Sequence, residues 1–284
     1  MIYLLIGNRG QLGKEFQKVL SGKNVSLVSG DIDEIDIRNL DNLYKFTNNI
    51  KPDIIINCAA YNLVDNAEAA PEEAFLTNAE AVKNLAIVAN ENNSLLIHFG
   101  TDYVFDGTKG TLYTESDIPN PVNVYGQSKL QGEVYLAEIA KKYLLLRTSW
   151  VYGDGVQNFV YKFLQWSKTN KVLQIADDEI SIPTSTEVLV NVTLEALRKG
   201  LTGLFHLTNS GHASRFKWAK VIAQFAGLSN EILPVSKDIF NLPAKRPGFS
   251  AMANNLITGQ LQVSIPTWEE SLKNYLERFQ EESI

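Results

Sequence analysis

The chain has 284 residues, 45% hydrophobic and 20% charged, ordinary values for a folded protein with a large core. Its formal net charge of −6 argues against a surface built mainly to hold nucleic acid, and its single cysteine, Cys58, excludes an intrachain disulfide and a zinc site of several thiolates. The apolar run Ile2 to Ile6 is too short to span a membrane and lacks the basic start and length of a signal peptide, so the expectation is a cytoplasmic protein.

That run reads as a first strand buried on both faces, and it enters Gly7-Asn8-Arg9-Gly10-Gln11-Leu12-Gly13 directly. A helix follows over Gln11–Leu20. Glycines at such a turn make it tight, let the backbone approach a diphosphate, and let the helix pack close to the strand. The helix start then offers free N–H groups and a positive dipole end. The spacing is GxxGxxG, not GxGxxG, and its place after strand one points to dinucleotide binding by Gly7, Gly10 and their neighbours. Val25–Ser29 reads as a second strand, with Asp31 just beyond it, eighteen residues after Gly13. A carboxylate there suits a ribose 2′-hydroxyl and so NADH. Arg9 within the turn suits a 2′-phosphate and so NADPH. The sequence carries a feature for each, and the expectation is NADH or NADPH.

Further short apolar runs follow at Ile54–Ile56, Leu95–Ile97, Leu144–Leu146 and Leu204–Leu207. Between them Pro71–Asn90 and Ser128–Lys142 carry helical spacing, and the alternation predicts a Rossmann-type, doubly wound parallel α/β sheet. Thr101, past the Leu95–Ile97 run, falls at a strand's carboxyl end, where open α/β sheets bind ligands, and can offer its hydroxyl to a carbonyl oxygen gaining charge. Tyr125 and Lys129 form the chain's YxxxK, an i, i+4 pair that shares a helix face. A neighbouring ammonium is expected to bring the phenol's pKa down toward the working range. Trp150 sits just past the Leu144–Leu146 run, on the same ligand-bearing edge.

Beyond Trp150 the pattern loosens into helices near Asn158–Ser167, Ser185–Leu197, Phe216–Phe225 and Thr267–Phe279. The division expected is a dinucleotide-binding domain over 1–150, with a segment near 184–208 returning to it. The remaining segments of 151–284 form a smaller C-terminal substrate lobe.

Several longer motifs carry a resemblance to the dTDP-4-dehydrorhamnose reductase family of extended short-chain dehydrogenase/reductases. They are Gly10-Gln11-Leu12-Gly13, Asn57-Cys58-Ala59-Ala60-Tyr61, Val64-Asp65 with Ala67-Glu68, Thr101–Gly107, Arg147–Gly153, Pro183-Thr184, and Arg246-Pro247 with Ser250. The resemblance implies reduction of a dTDP-4-keto-6-deoxy-sugar with NADPH or NADH. Tyr125 would be the acid at the C4 oxygen, Thr101 would hydrogen-bond that oxygen, and Lys129 would tune Tyr125 and hold the nicotinamide ribose. Gly10, Gln11 and Leu12, Asp36 and Ile37, and Ala59, Ala60 and Tyr61 would line the cofactor. Val64, Thr101, Asp102, Tyr103 and Trp150 would meet the substrate.

The chain departs from the family pattern at Gly100, usually Ser, at Asn62, usually Thr, at Glu179–Ile182 and at Met252–Asn255. Tyr103 stands where a 4,6-dehydratase carries Glu. The family sometimes uses Mg2+ at a dimer contact, but no local carboxylate motif here marks such a site; the resemblance leaves room for a homodimer. A rival reading is a non-catalytic NADP-binding subunit like the regulatory subunit of methionine adenosyltransferase. The intact Thr101, Tyr125 and Lys129 favour an enzyme.

Overall fold

The computed structural model describes residues 1–281, and residues 282–284 of the expected second lobe lie outside them. The first half alternates strand and helix as its apolar runs dictate. Strands β1 (Ile2–Ile6), β2 (Ser26–Gly30), β3 (Ile54–Asn57), β4 (Leu95–Thr101) and β5 (Tyr143–Thr148) are joined through helices α1 (Gln11–Ser21), α2 (Leu40–Ile50), α3 (Val64–Ala69), α4 (Pro71–Phe75), α5 (Ala81–Glu91) and α6 (Val124–Ile139). A π-helical turn, Leu76–Glu80, splices α4 to α5.

The second half is more broken. It runs β6 (Val151–Tyr152), α7 (Phe159–Thr169), β7 (Val172–Ala176), β8 (Ile180–Ser181), β9 (Thr184–Ser185), α8 (Thr186–Arg198), β10 (Gly203–His206), β11 (Ala213–Ser214), α9 (Arg215–Phe225), β12 (Glu231–Val235), α10 (Asn255–Leu261) and α11 (Trp268–Glu281).

The main sheet has six strands in the order β10-β5-β4-β3-β1-β2, every neighbouring pair parallel. Helices cover both of its faces. On one, Phe16 and Leu20 of α1, Leu189 and Val190 of α8, and Ile257 and Leu261 of α10 pack on Leu5, Ile56, Ile97 and Leu146. On the other, Leu43, Val82, Leu85 and Leu136 pack on Leu4, Ile55, Leu96 and Leu145. This is the doubly wound Rossmann-type arrangement, with strand order reversing between β3 and β1. A separate apolar cluster in the second half gathers Tyr152, Phe163, Trp218, Trp268 and Leu272, around the pairs β6·β9, β7·β12 and β8·β11. No described helix is long and apolar enough to cross a membrane.

Two differences from the sequence reading concern helices. Helix α6 begins four residues before Ser128, because Asn123 caps it by accepting from the Gly126 N–H at 2.7 Å. It also ends before Lys142: the Lys141 N–H donates to Asn90 Oδ1 at 2.8 Å, and the chain then turns into β5. The earlier start puts Tyr125 and Lys129 in the first turns of one helix.

That helix is tied to the sheet by a buried ion pair. Glu133 of α6 accepts from Arg147 of β5 through Nη2 at 2.7 Å and Nε at 3.0 Å, with side chains 4% and 5% exposed. Gly100 on β4 lies against the pair, and a Cβ there would run into Glu133 Oε1. A side chain at position 100 would therefore require the Glu133 carboxylate to shift. Glu133→Gln leaves Arg147 buried beside a neutral partner. Unfolding in urea should show a loss of about 3–5 kcal/mol, and a loss below 1 kcal/mol would mean that the pair does not anchor α6.

Candidate active site

At the carboxyl ends of β1, β3, β4 and β5 a cleft of about 460 Å³ opens. The glycine turn forms one end. Gly7 has φ +79°, and a Cβ on it would come within 2.7 Å of the Ala59 backbone nitrogen; a Cβ on Gly13 would strike the Gly7 carbonyl. Gly10 caps α1 with no side-chain hydrogen bond and no acidic residue in the first turn, so the helix start keeps its donors and dipole for an anion. The Gln11 amide reaches across the cleft, donating to the Val151 carbonyl at 3.0 Å and accepting from Asn158 at 3.3 Å. Backbone donors, a shaped floor and room for an extended ligand fit a dinucleotide.

Thr101, Tyr125 and Lys129, drawn from β4 and α6, all line this cleft. Tyr125 Oη donates to Asn62 Oδ1 at 3.4 Å and its ring meets Tyr103 edge-on at 5.8 Å. Burial pushes the phenol up to about 12, opposed by a hydrogen bond with Thr101. The sequence expectation that Lys129 would bring this phenol down toward neutrality is therefore corrected: desolvation wins over any nearby ammonium. Lys129 donates to the Phe99 carbonyl at 2.7 Å and lies 3.5 Å from His98 Nε2. Burial brings its amine down to about 8, opposed by the Glu133 carboxylate. The same burial holds His98 neutral. The cleft thus presents a protonated phenol and an amine that titrates near the working range.

The cleft also brings together Gly10, Gln11, Leu12, Ala59, Ala60, Asp102 and Trp150. Other candidates lie outside its lining. Tyr61, Val64 and Tyr103 pack behind Tyr125 in a small apolar cluster. Ile37 points into the core below α5, and Asp36 is held by Arg38 at 2.8 Å. Gly7 opens the turn behind the lining, while Arg9 and Asp31 stand at its outer end, where the Arg9 N–H donates to Asp31 at 3.1 Å.

Asp102 is 2% exposed and turns away from open solvent. Its Oδ2 accepts from Ser181 at 2.7 Å and Ser250 at 2.5 Å, stitching the end of β4 to two segments of the second half. Nearby, Arg246 pairs with Asp65 at 2.7 Å across 181 residues of chain. Trp150 adopts φ +42°, a left-handed conformation costly for a bulky residue, and is clamped between Trp218 at 5.6 Å and the Arg215 guanidinium at 3.7 Å. Arg215 in turn reaches Glu179 at 3.7 Å, and Glu179 accepts from Tyr103 Oη at 3.2 Å. Arg215, Lys162 and Asn62 were not among the sequence candidates. Lys162 and Arg215 carry no local motif, and only Asn62's place beside the Asn57–Tyr61 motif marked it. Among the described residues no group of three or more His, Cys, Asp or Glu side chains is arranged to hold a metal ion.

Comparison with known proteins gives a consistent result. The family described as "RmlD substrate binding domain" matches residues 1–281. The dTDP-4-dehydrorhamnose reductase of Escherichia coli K12 is 35% identical, covering 97% of each chain. Among solved structures, the dTDP-4-dehydrorhamnose reductase of Clostridium acetobutylicum superposes with a TM-score of 0.96 at 38% identity, covering 99% of this chain and all of that one. The Bacillus anthracis dTDP-4-dehydrorhamnose reductase, solved in complex with NADP, has a TM-score of 0.95 at 33% identity, covering 98% and 99%.

Burial raises Asp102 from 3.8 to about 6, ahead of the two serine hydrogen bonds that oppose it. The folded state therefore keeps a proton that the unfolded chain has already lost, so this group's stabilising contribution is present below about pH 4 and gone by about pH 6. Asp102→Asn removes that titration. Relative to the parent, the variant should gain roughly 3 kcal/mol between pH 4 and pH 7, read from urea midpoints. Parallel pH dependences of the two proteins would contradict the assignment.

Proposed function

The chain belongs to the RmlD substrate binding domain family, and from that membership we propose that it reduces the C4 keto group of a dTDP-4-keto-6-deoxy-sugar with NAD(P)H. The substrate its relatives are named for is dTDP-4-dehydrorhamnose, and reduction of that sugar by this chain would give dTDP-L-rhamnose. One observation carries the reading: the Thr101 hydroxyl, the Tyr125 phenol and the Lys129 amine line the same cleft as the glycine turn.

When bound, the nicotinamide supplies the hydride to C4. Negative charge then grows on the C4 oxygen, and the site must neutralise it. Tyr125, kept protonated by its burial, gives its proton to that oxygen, while the Thr101 hydroxyl turns from Asp102, 3.3 Å away, to donate to it. In this proposal the Lys129 ammonium stabilises the phenolate left behind and holds the nicotinamide ribose. The helix start at Gly10–Leu12 takes the diphosphate, with Ala59 and Ala60 as the facing wall. Residues 1–150 with the 184–208 segment are the cofactor domain in this proposal, and the rest closes over the sugar. Trp150, pinned by Trp218 and Arg215, is the sugar's flat wall. Val64 and Tyr103 act from behind Tyr125.

The relatives' names favour a reductase over the regulatory-subunit reading. A homodimer belongs to the proposal on the family resemblance alone, and a monomer mass in light scattering would remove it.

Tyr125→Phe should lower turnover of a dTDP-4-keto-6-deoxy-sugar by roughly 10²–10⁴ while leaving NAD(P)H affinity nearly unchanged. Near-normal activity would take Tyr125 out of the mechanism. Lys129→Ala should weaken both, and unaltered cofactor binding would remove its ribose contact. Because the Lys129 amine sits at about 8, kcat/KM should fall as pH rises through that value and its positive charge is lost. A flat profile from pH 7 to 9 would show that the charge is not needed.

A further inference from the structure

The outer end of the glycine turn holds a charge arrangement that the proposed reaction does not by itself require. β2 ends at Gly30, whose carbonyl accepts from the Gly7 N–H at 2.9 Å, so the segment after β2 is stitched to the turn. Asp31 comes next. Its Oδ2 accepts from the Arg9 N–H at 3.1 Å and its Oδ1 from the Ile32 N–H at 2.9 Å, which fixes the carboxylate on the rim. In sheets of this kind an acidic residue at this place receives the ribose 2′-hydroxyl, whereas a nearby arginine receives a 2′-phosphate.

Here the arginine is already taken. Arg9 Nη1 donates to Asp33 at 2.5 Å and Nη2 to Glu34 at 2.9 Å, so both ends of its fork point at carboxylates. Glu34 is itself braced, with Oε2 accepting from the Asp31 N–H at 3.0 Å. The Arg9, Asp33 and Glu34 side chains are 56%, 69% and 52% exposed, so these pairs are individually weak and Arg9 can swing. Swinging does not solve the problem for a phosphate. A doubly charged 2′-phosphate would meet one guanidinium in the company of three carboxylates, Asp31, Asp33 and Glu34. The other guanidinium on this side, Arg38, is bound to Asp36 at 2.8 Å and faces Glu73 at 4.0 Å. A 2′-hydroxyl carries no charge and finds the Asp31 carboxylate ready to accept from it.

We infer that the Asp31–Asp33–Glu34 rim selects NADH over NADPH, with Arg9 serving as a structural counter-ion of the rim instead of a phosphate receptor. This rests on the reading of the cleft as a dinucleotide site, and the test separates the two. The purified full-length protein is titrated with NADH and with NADPH, without sugar, following the cofactor's fluorescence. NADH should bind at least roughly tenfold more tightly at low salt, and the ratio should shrink as ionic strength rises, because exposed charges are screened. The double variant Asp33→Asn/Glu34→Gln keeps the shapes, frees Arg9, and should tighten NADPH binding several-fold with a much smaller change for NADH. Equal affinities, or tighter NADPH binding, would overturn the inference, as would a ratio that salt and the double variant leave unmoved. Failure of both cofactors to bind would instead bring down the dinucleotide site itself.

Discussion

Helix α6 starts at the carboxyl ends of β4 and β5, runs back along the sheet face, and is held there by charge buried in the protein. Lys129 donates to the Phe99 carbonyl at 2.7 Å, and one turn later Glu133 grips Arg147. Buried ions persist only when paired and hydrogen-bonded, so these contacts admit few alternative positions for the helix. With α6 fixed, Tyr125 stands over the end of β4, where Thr101 also emerges. Gly100 leaves room for the Glu133 carboxylate, and that missing side chain lets the pair sit directly beneath the site.

The same burial decides the electrostatics. A phenol shut away from water resists ionisation, and an amine shut away from water sheds its proton more easily. Tyr125 and Lys129 are moved in opposite senses from solution values, to about 12 and about 8. For a reduction this is the useful direction: the donor must hold its proton until charge develops on the substrate oxygen. The second half of the chain contributes by enclosure. Ser181 and Ser250 both bind Asp102, Gln11 reaches Val151, and Arg246 reaches Asp65, so the two halves meet around the cleft at several polar points.

Much of the fold was legible because β1, β3, β4 and β5 are continuous apolar runs, which parallel strands buried on both faces must be. Their ends extend further than the runs, through polar residues such as Asn57, His98 and Arg147, whose partners come from other segments. Helix α2 escaped notice because Thr47, fully buried, satisfies its hydroxyl on the Leu43 carbonyl and interrupts the apolar stripe. β7 and β12 escaped because a two-stranded, half-exposed pair that includes Pro234 has weak periodicity. In the site, the glycine turn, Thr101 and the YxxxK pair carry local spacing signals and were found. Arg215, the left-handed backbone of Trp150 and the raised phenol of Tyr125 depend on packing between remote segments, which no local pattern encodes. The acidic rim lay in plain view as Asp31, Asp33 and Glu34, but only the observed hydrogen bonds reveal that Arg9 is committed to it.

The central claim is that the cleft transfers a hydride to a sugar carbonyl. The most direct measurement follows the isotope: NADH carrying deuterium at nicotinamide C4, in separate preparations labelled on each face, is mixed with the protein and a dTDP-4-keto-6-deoxy-sugar. The account predicts that one of the two preparations places deuterium at C4 of the sugar product, seen by mass spectrometry and NMR. Cofactor that binds yet never delivers its label to any keto-sugar would contradict it and leave a binding protein with an idle site.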